Sequence, residues 1–118
     1  MEKIVVLGKI EIPKEIRGRK FNSYIKVLDT SYEDAPAITI AETRIDHSMS
    51  KLTKEPFIPF ELSIDAEIIP SHDYTVSVLV DMDGDGIISK NDYIQNQSYN
   101  VISQGKPKKN IFIALQKV

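Results

Sequence analysis

The sequence predicts an all-β fold, an antiparallel immunoglobulin-like β-sandwich of about seven strands. Short apolar runs with a two-residue period recur along the chain, as in 60–65 and 74–80. Turn-forming residues separate these runs, and no stretch shows the period of an amphipathic helix. The chain of 118 residues is predicted to form a single domain, 1–118. It has no cysteine, but a domain of this size buries about two thirds of its unfolded surface and needs no disulfide.

Three predicted strands occupy the first half of the chain. Residues 4–12 are rich in β-branched residues, and Gly8 within them indicates a bulge or a close approach of the backbone to a neighbour. The charged segment 14–20 reads as an exposed loop. Residues 21–28 and 37–45 follow as strands, each with apolar side chains on alternate positions.

The remaining strands lie in the second half. Residues 60–65 and 74–80 alternate between apolar and polar side chains, and a short strand is predicted around 99–101. Residues 111–115 form the last predicted strand. Tyr74 opens its strand after a polar turn, as in a tyrosine corner, where the phenol binds upstream backbone.

An acidic stretch of twelve residues, 81–92 or DMDGDGIISKND, follows the 74–80 strand directly. Its spacing is that of an EF-hand-type calcium loop, which has ligands at positions 1, 3, 5, 7, 9 and 12 and glycine at position 6, here Gly86. Asp rather than Glu at position 12 resembles dockerin-type loops. The predicted metal ligands are Asp81, Asp83, Asp85, Ile87 through its backbone carbonyl, Ser89 directly or through water, and Asp92.

Electrostatics favours a metal in this loop. Four carboxylates in so short a segment repel one another, and a hard dication such as Ca²⁺ converts that repulsion into attraction. Ile88 at position 8 is expected to point away from the ion, where such loops usually carry an aliphatic anchor. The alternative is an acidic hairpin turn, because Asp-Gly is also a favoured turn dipeptide. A plain turn does not require Ser89 and Asp92 at ligand positions 9 and 12.

Charge and composition exclude several partners. Fifteen basic and seventeen acidic side chains give a net charge of −2, so no basic excess is present for nucleic acid. No apolar run approaches the length of about eighteen residues that crosses a bilayer. The first residues are too short and too polar for a signal peptide. We expect the cell envelope or the exterior if an export signal has been removed, and otherwise the cytoplasm.

The sequence gives little support for a catalytic role. His47 and His72 have no Cys, second His or Ser at a readable catalytic spacing. A carboxylate pair for glycoside hydrolysis could come from Glu61, Asp65, Glu67 and Asp73. Outward-facing alternation along the strand makes a solvated face the simpler interpretation. Strand tyrosines could line a sugar-binding face, although cross-strand packing explains them more simply. We therefore expect no enzyme.

A series of short segments is spread over residues 5–80. The segments are Gly8, Val27-Leu-Asp29-Thr-Ser31, Asp34-Ala-Pro36-Ala, Ile38 to Ala41, Pro59-Phe-Glu-Leu62 with Asp65, and Pro70, His72 and Tyr74-Thr-Val76. In their order and spacing they resemble the small β-sandwich envelope lipoproteins typified by the type III secretion pilotin YscW and its relative YbaY. The resemblance implies a sandwich fold and a binding or chaperone-like role without catalysis. Past Val80 that family pattern has a short turn, where this chain has the acidic loop.

Two functional hypotheses follow. The first is a non-catalytic calcium-binding module, in which Ca²⁺ pins the end of the 74–80 strand to the next strand. The alternative is an envelope or secretion-related interaction or chaperone module that binds a protein partner through an exposed sheet edge, with calcium incidental. A carbohydrate-binding module is a third reading, which no sequence feature requires.

Overall fold

A computed structural model describes residues 4–31, 35–47, 56–108 and 111–118. In this part of the chain, two β-sheets pack face to face, which confirms the predicted all-β sandwich. The strands are β1 (Ile4–Glu11), β2 (Phe21–Asp29), β3 (Ile38–His47), β4 (Phe57–Ile64), β5 (Tyr74–Asp81), β6 (Tyr93–Gln95), β7 (Asn100–Ser103), β8 (Lys106–Pro107), β9 (Ile111–Ile113) and β10 (Leu115–Lys117).

The smaller sheet has the order β4-β1-β9. β1 and β4 pair antiparallel in one unbroken register, from Ile4 opposite Ile64 to Glu11 opposite Phe57. β9 lies parallel to β1, with Gly8 opposite Ile111. One pairing in the sandwich is therefore parallel, although the others are antiparallel as expected.

The larger sheet has the order β10-β6-β5-β2-β3, and the short strands β7 and β8 extend from β5. Its centre is the antiparallel pairing of β2 with β5, which runs from Asn22 opposite Asp81 to Asp29 opposite Tyr74. β3 pairs with β2 on the other side, with one irregularity between Val27 and Leu28. Within the described residues, β3 has no other strand beside it and forms an edge of the sheet.

The core lies between the two sheets and is mostly aliphatic, with the aromatic side chains of Phe21, Phe60, Tyr74 and Tyr93 among it. β4 and β5 alternate between buried and more exposed positions, as their sequence period predicts. The largest fully buried side chains are those of Tyr74, Ile10, Ile12, Ile16, Ile25, Ile64 and Ile113.

Several segments differ from the sequence prediction, among them 111–115 and 14–20. Residues 111–115 do not form one strand, because the chain leaves the small sheet after Ile113 and joins the large one at Leu115. The segment 14–20 is not only an exposed loop, since Lys14–Ile16 is a 3-10 helix that buries Ile16. None of the described residues belongs to a helix with the length and apolarity needed to cross a membrane.

Gly8 allows a close approach within the small sheet and causes no bulge. A Cβ atom at this position would lie 2.6 Å from Cζ of the Phe60 ring and 3.1 Å from the Ile111 carbonyl oxygen. The buried Phe60 ring occupies the space that any larger residue at position 8 would need. The pairing with β4 continues through Gly8 without a shift, so close approach, and not a bulge, explains the glycine.

A polar cluster ties the end of β2 to the turn before β5. Tyr74 forms the expected tyrosine corner, because its hydroxyl accepts a hydrogen bond from the Ile69 amide at 2.9 Å. Nδ1 of His72 lies 2.7 Å from Oδ2 of the buried Asp29. Oδ1 of Asp29 accepts from the Ser31 amide at 3.0 Å, and the Ser31 hydroxyl accepts from the Asp73 amide at 2.6 Å.

The ionised form of Asp29 is favoured at this position. Burial by itself raises the pKa of Asp29, but hydrogen bonds from His72 and Ser31 outweigh it and hold the pKa below its usual value. A carboxyl with a lowered pKa stabilises the fold above its unfolded-state pKa, and that stabilisation is lost as the pH falls through the folded-state pKa.

Replacing Gly8→Ala is expected to destabilise the fold by about 1–3 kcal/mol, because the new methyl group overpacks the site against Phe60 and the Ile111 carbonyl. Urea unfolding measures this loss. Adding Phe60→Leu should recover part of it, giving a double variant more stable than the sum of the single effects. Strict additivity of the two substitutions would contradict the contact.

The stability difference between wild type and Asp29→Asn should depend on pH. We expect about 1.5–3 kcal/mol near neutral pH, from the hydrogen bonds to the carboxylate. The difference should shrink from about pH 4 downward, because protonation of Asp29 removes the same charge in the wild type. Chemical denaturation at a series of pH values tests this. The exposed Asp65→Asn variant is the control, and an Asp29 difference that is constant from pH 7 to about pH 2 contradicts the assignment.

Candidate functional site

The acidic loop brings its four aspartates together between β5 and β6. Asp81 is the last residue of β5, and Asp92 immediately precedes β6; both side chains are buried. Asp83 and Asp85 lie exposed on the loop between them. One carboxylate oxygen from each of the four lies within 4.8 Å of those of the other three. The loop has therefore placed the predicted side-chain carboxylates around one point.

Glycines and backbone amides give the loop its shape. Gly84 and Gly86 have positive φ angles of 79° and 75°, which glycine adopts without strain. The amides of both glycines donate to the Asp81 carboxylate, at 3.0 Å and 2.6 Å. The Ile87 amide donates to Oδ1 of Asp85 at 2.9 Å. Gly86 thus provides the sharp turn expected at position 6.

The far end of the loop closes back onto its start. Oδ1 of Asp92 accepts from the Met82 amide at 2.8 Å, and Oδ2 accepts from the Ser89 amide at 3.0 Å. The Ser89 hydroxyl lies 3.1 Å from an oxygen of Asp92 and 3.1 Å from an oxygen of Asp83, and its single proton serves one of them at a time. Position 12 therefore joins the end of β5 to the residues before β6.

Negative charge accumulates at this point. Burial raises the pKa of Asp81, and the nearby carboxyls of Asp83 and Asp92 add to the rise, against hydrogen bonds from the Gly86 and Gly84 amides. The pKa of Asp83 is lowered, chiefly by a hydrogen bond from Asp81. The two shifts have opposite signs because the carboxyls are close enough to share one proton. A bound cation is the other way to relieve the same repulsion.

The spacing of the aspartate carboxylate oxygens suits Ca²⁺ better than Mg²⁺. Two oxygens bound to one ion lie no further apart than twice the metal–oxygen distance, roughly 4.6–5.2 Å for Ca²⁺ and roughly 4.0–4.2 Å for Mg²⁺. The limit of 4.8 Å for the four aspartates is compatible with a calcium shell, whereas a magnesium shell is tighter. Asp81, Asp83, Asp85 and Asp92 could hold Ca²⁺, with the Ile87 carbonyl and Ser89 as the further predicted ligands.

The isoleucines of the loop do not pack against the core. The side chains of Ile87 and Ile88 are 67% and 58% exposed. Exposure of Ile87 does not affect its predicted role, since only its carbonyl is involved. Ile88 does not serve as the expected aliphatic anchor, because the buried Asp92 carboxylate already holds the loop through backbone amides.

The edge strand β3 is a second candidate site. Within the described residues, 39–45 make backbone hydrogen bonds only to β2, so alternate N–H and C=O groups on the other side face outward. Glu42 lies opposite Lys26 and Arg44 opposite Tyr24. The Arg44 guanidinium lies 5.8 Å from the centre of the Tyr24 ring, in a cation–π contact. A shallow pocket of about 330 Å³ lies among these four side chains and Thr43.

An apolar patch lies on the outer face of the small sheet and was not predicted from the sequence. Leu7 and Phe112 are 57% and 55% exposed, and the Phe112 ring meets that of Phe57 edge-on at 5.9 Å. A cavity of about 270 Å³ lies beside them, against Pro59 and Gly8. Consecutive apolar residues at the start of β1 were the available signal, since a strand with one solvated face should alternate.

The other candidate residues have structural positions. His72 is held by Asp29 in the cluster before β5, and Glu61 and Asp65 lie exposed. The side chain of His47 and the Asp34 of the family-like segment lie outside the described residues.

Comparisons with known proteins agree with this architecture. The chain matches the family described as type III secretion system lipoprotein chaperone (YscW) over residues 6–113. The fold is similar to that in "Structure of an alternative pilotin from the type II secretion system of Vibrio cholerae", with a TM-score of 0.74 and 24% identity over 99% of this chain and 98% of that one. No curated protein sequence matches the chain.

The family match covers all but the ends of the described sandwich, from the first buried residue of β1 to the last residue of β9. It includes the tyrosine corner, the β3 edge and the acidic loop. The resemblance read from the sequence is therefore confirmed at the level of the family. This chain belongs to the YscW family of type III secretion system lipoprotein chaperones.

Proposed function

We propose that the protein is a non-catalytic protein-binding module of the chaperone type, which captures an extended segment of a secretion-system partner as a new strand beside β3. The single observation that carries this proposal is the edge of β3, a ten-residue strand that is open among the described residues, in a chain of this family. An unpaired edge offers a ready row of donors and acceptors to an incoming strand.

The side chains around the edge supply selectivity. Backbone hydrogen bonds hold any extended segment, whereas pockets for alternate side chains choose among segments. On the outer face, Glu42 and Arg44 are both exposed and adjoin the pocket with Tyr24 and Lys26. A partner residue opposite Arg44 is best acidic, and one opposite Glu42 is best basic.

Proline scanning of the edge tests this proposal. In an antiparallel strand the N–H groups of adjacent residues point to opposite sides, so of Thr43→Pro and Arg44→Pro one removes a bond to β2 and the other removes an outward donor. We expect the variant that keeps the native melting temperature to lose binding about tenfold or more. Fluorescence anisotropy with overlapping synthetic peptides from the outer components of the source organism's secretion apparatus measures it.

A matched control places the change on the other sheet. Leu7→Ser alters the apolar patch beside β1 and leaves β3 intact, so it should bind the same peptides with unchanged affinity. Loss of binding in Leu7→Ser, together with normal binding in both proline variants, would assign capture to the patch and refute the edge.

A second candidate function is calcium binding by the 81–92 loop, with a structural role for the ion. It is supported by the convergence of four carboxylate oxygens within 4.8 Å and by the buried position of two of those aspartates. In this proposal Ca²⁺ pins the end of β5 to the start of β6 and so strengthens the large sheet.

Calcium is expected to raise the melting temperature, and EDTA to lower it, because a ligand that binds only the folded state stabilises it. At a free calcium concentration of about 100 times the dissociation constant, the gain is about 2.7 kcal/mol. Isothermal titration of the chelated protein with Ca²⁺ and then with Mg²⁺ gives the affinities, and Ca²⁺ should bind more tightly.

Two variants separate the site from general charge effects. Asp81→Ala and Asp85→Asn should both abolish the calcium response, and the exposed Asp85 is the less disruptive change because its neighbours remain in place. Asp65→Asn, an exposed acid outside the loop, should respond like the wild type. A melting curve that does not move across millimolar calcium removes this second function and leaves the first untouched.

A further inference from the structure

The edge strand β3 is complementary to itself. When two copies of a strand pair antiparallel about a two-fold axis, each residue lies opposite the one equally far from the axis. With the axis at Thr43, Glu42 of one copy lies opposite Arg44 of the other, and the reverse pair forms on the far side of the axis. Both residues are exposed on the same face of the sheet.

The neighbouring strand β2 extends this complementarity on both sides. Lys26 lies opposite Glu42, and Arg44 lies opposite Tyr24 with its guanidinium 5.8 Å from the ring centre. Across the paired copies the row would therefore run Lys26, Glu42, then Arg44 and Tyr24 of the second copy. Each carboxylate has a cation on either side, and each guanidinium has a carboxylate and an aromatic ring.

The opposite face fits the same arrangement. The half-buried Ala41 would lie opposite Ile45 of the second copy, so apolar side chains meet where the edge of the core is exposed. Axes at the two residues adjacent to Thr43 are worse, because an axis at Glu42 or at Arg44 sets that residue against its own copy. Charge thus selects one register among these neighbours.

We infer that β3 pairs antiparallel with β3 of a second copy about an axis at Thr43, so that a weak homodimer covers the open edge. Because only one short strand from each copy contributes, the contact is smaller than the about 1,200 Å² of a stable interface. Such a dimer dissociates readily, and a partner strand can take the place of the second copy. The inference stands without any partner, since the protein alone forms the contact.

Charge reversal gives the sharpest test. In a dimer of Glu42→Arg, arginine faces arginine at both contacts between positions 42 and 44. In a dimer of Arg44→Glu, glutamate faces glutamate at both. Each variant alone should therefore weaken dimerisation about tenfold or more. An equimolar mixture of the two should restore it, because every pair is then of opposite charge. Sedimentation equilibrium of wild type, of each variant and of the mixture, at protein concentrations from about 10 µM to 1 mM, measures the constants.

Cysteine crosslinking reports the register independently, because the chain has no cysteine of its own. Directly opposed residues of antiparallel strands have Cα atoms about 4.5–5.5 Å apart, within the range of a disulfide. Thr43→Cys should therefore form an intermolecular disulfide under mild oxidation. Thr39→Cys on the same strand should not, because its two copies would lie roughly 26 Å apart at about 3.3 Å per residue.

Several outcomes would overturn the inference. They are a wild type that stays monomeric throughout the concentration range, a mixture no more associated than its components, or equal crosslinking of the two cysteine variants. Melting curves of all variants confirm that each is folded, so that a lost dimer is not mistaken for a lost fold. Failure of peptide capture with an intact dimer would reject the proposed function and not the dimer.

Discussion

The pairing of β2 with β5 is the constraint on which the rest of the molecule depends. Both strands are central in the large sheet, and their register fixes what lies at each end. At one end Asp81 completes β5 and begins the acidic loop. At the other end Asp29 completes β2 and binds His72. A shift of one residue would turn the core side chains of the shifted strand outward and separate both polar clusters from their partners.

The polar clusters at the two ends of the β2–β5 pairing differ in how their charge is stabilised. The Asp29 cluster is satisfied within the protein, because hydrogen bonds from His72 and Ser31 offset the burial of its carboxylate. Backbone amides hold the acidic loop in shape, but four carboxylates converge there within 4.8 Å of one another. A cluster of the first kind stabilises a fold, whereas one of the second kind is suited to a metal ion.

The β3 edge lies on the opposite side of β2 from β5. Near the end of β3, Asp46 lines one pocket with Asp81 and Asp83 of the acidic loop. Edge strands are normally protected, because unpaired backbone groups recruit other chains. Here Glu42 and Arg44 provide charge on the edge, which disfavours unselective pairing and favours a partner with matching charges.

The sequence by itself determined the fold class, the run of the long strands and the composition of the loop. Strict alternation in β4 and β5 and the fixed spacing of the aspartates are local patterns, and local patterns are visible in sequence. Gly8 signalled a close contact, and the order of short family-like segments predicted the family that the match over 6–113 shows.

Only the tertiary structure decided which sheet each strand joins, and therefore which edge is open. The period of a strand records the face that is buried but not its neighbour, so the break at Ala114 and the parallel pairing of β9 with β1 could not be read in advance. The same holds for the Asp29 and His72 pair, which is joined across 43 residues of sequence. Contacts between distant segments depend on the whole packing, and no local pattern contains them.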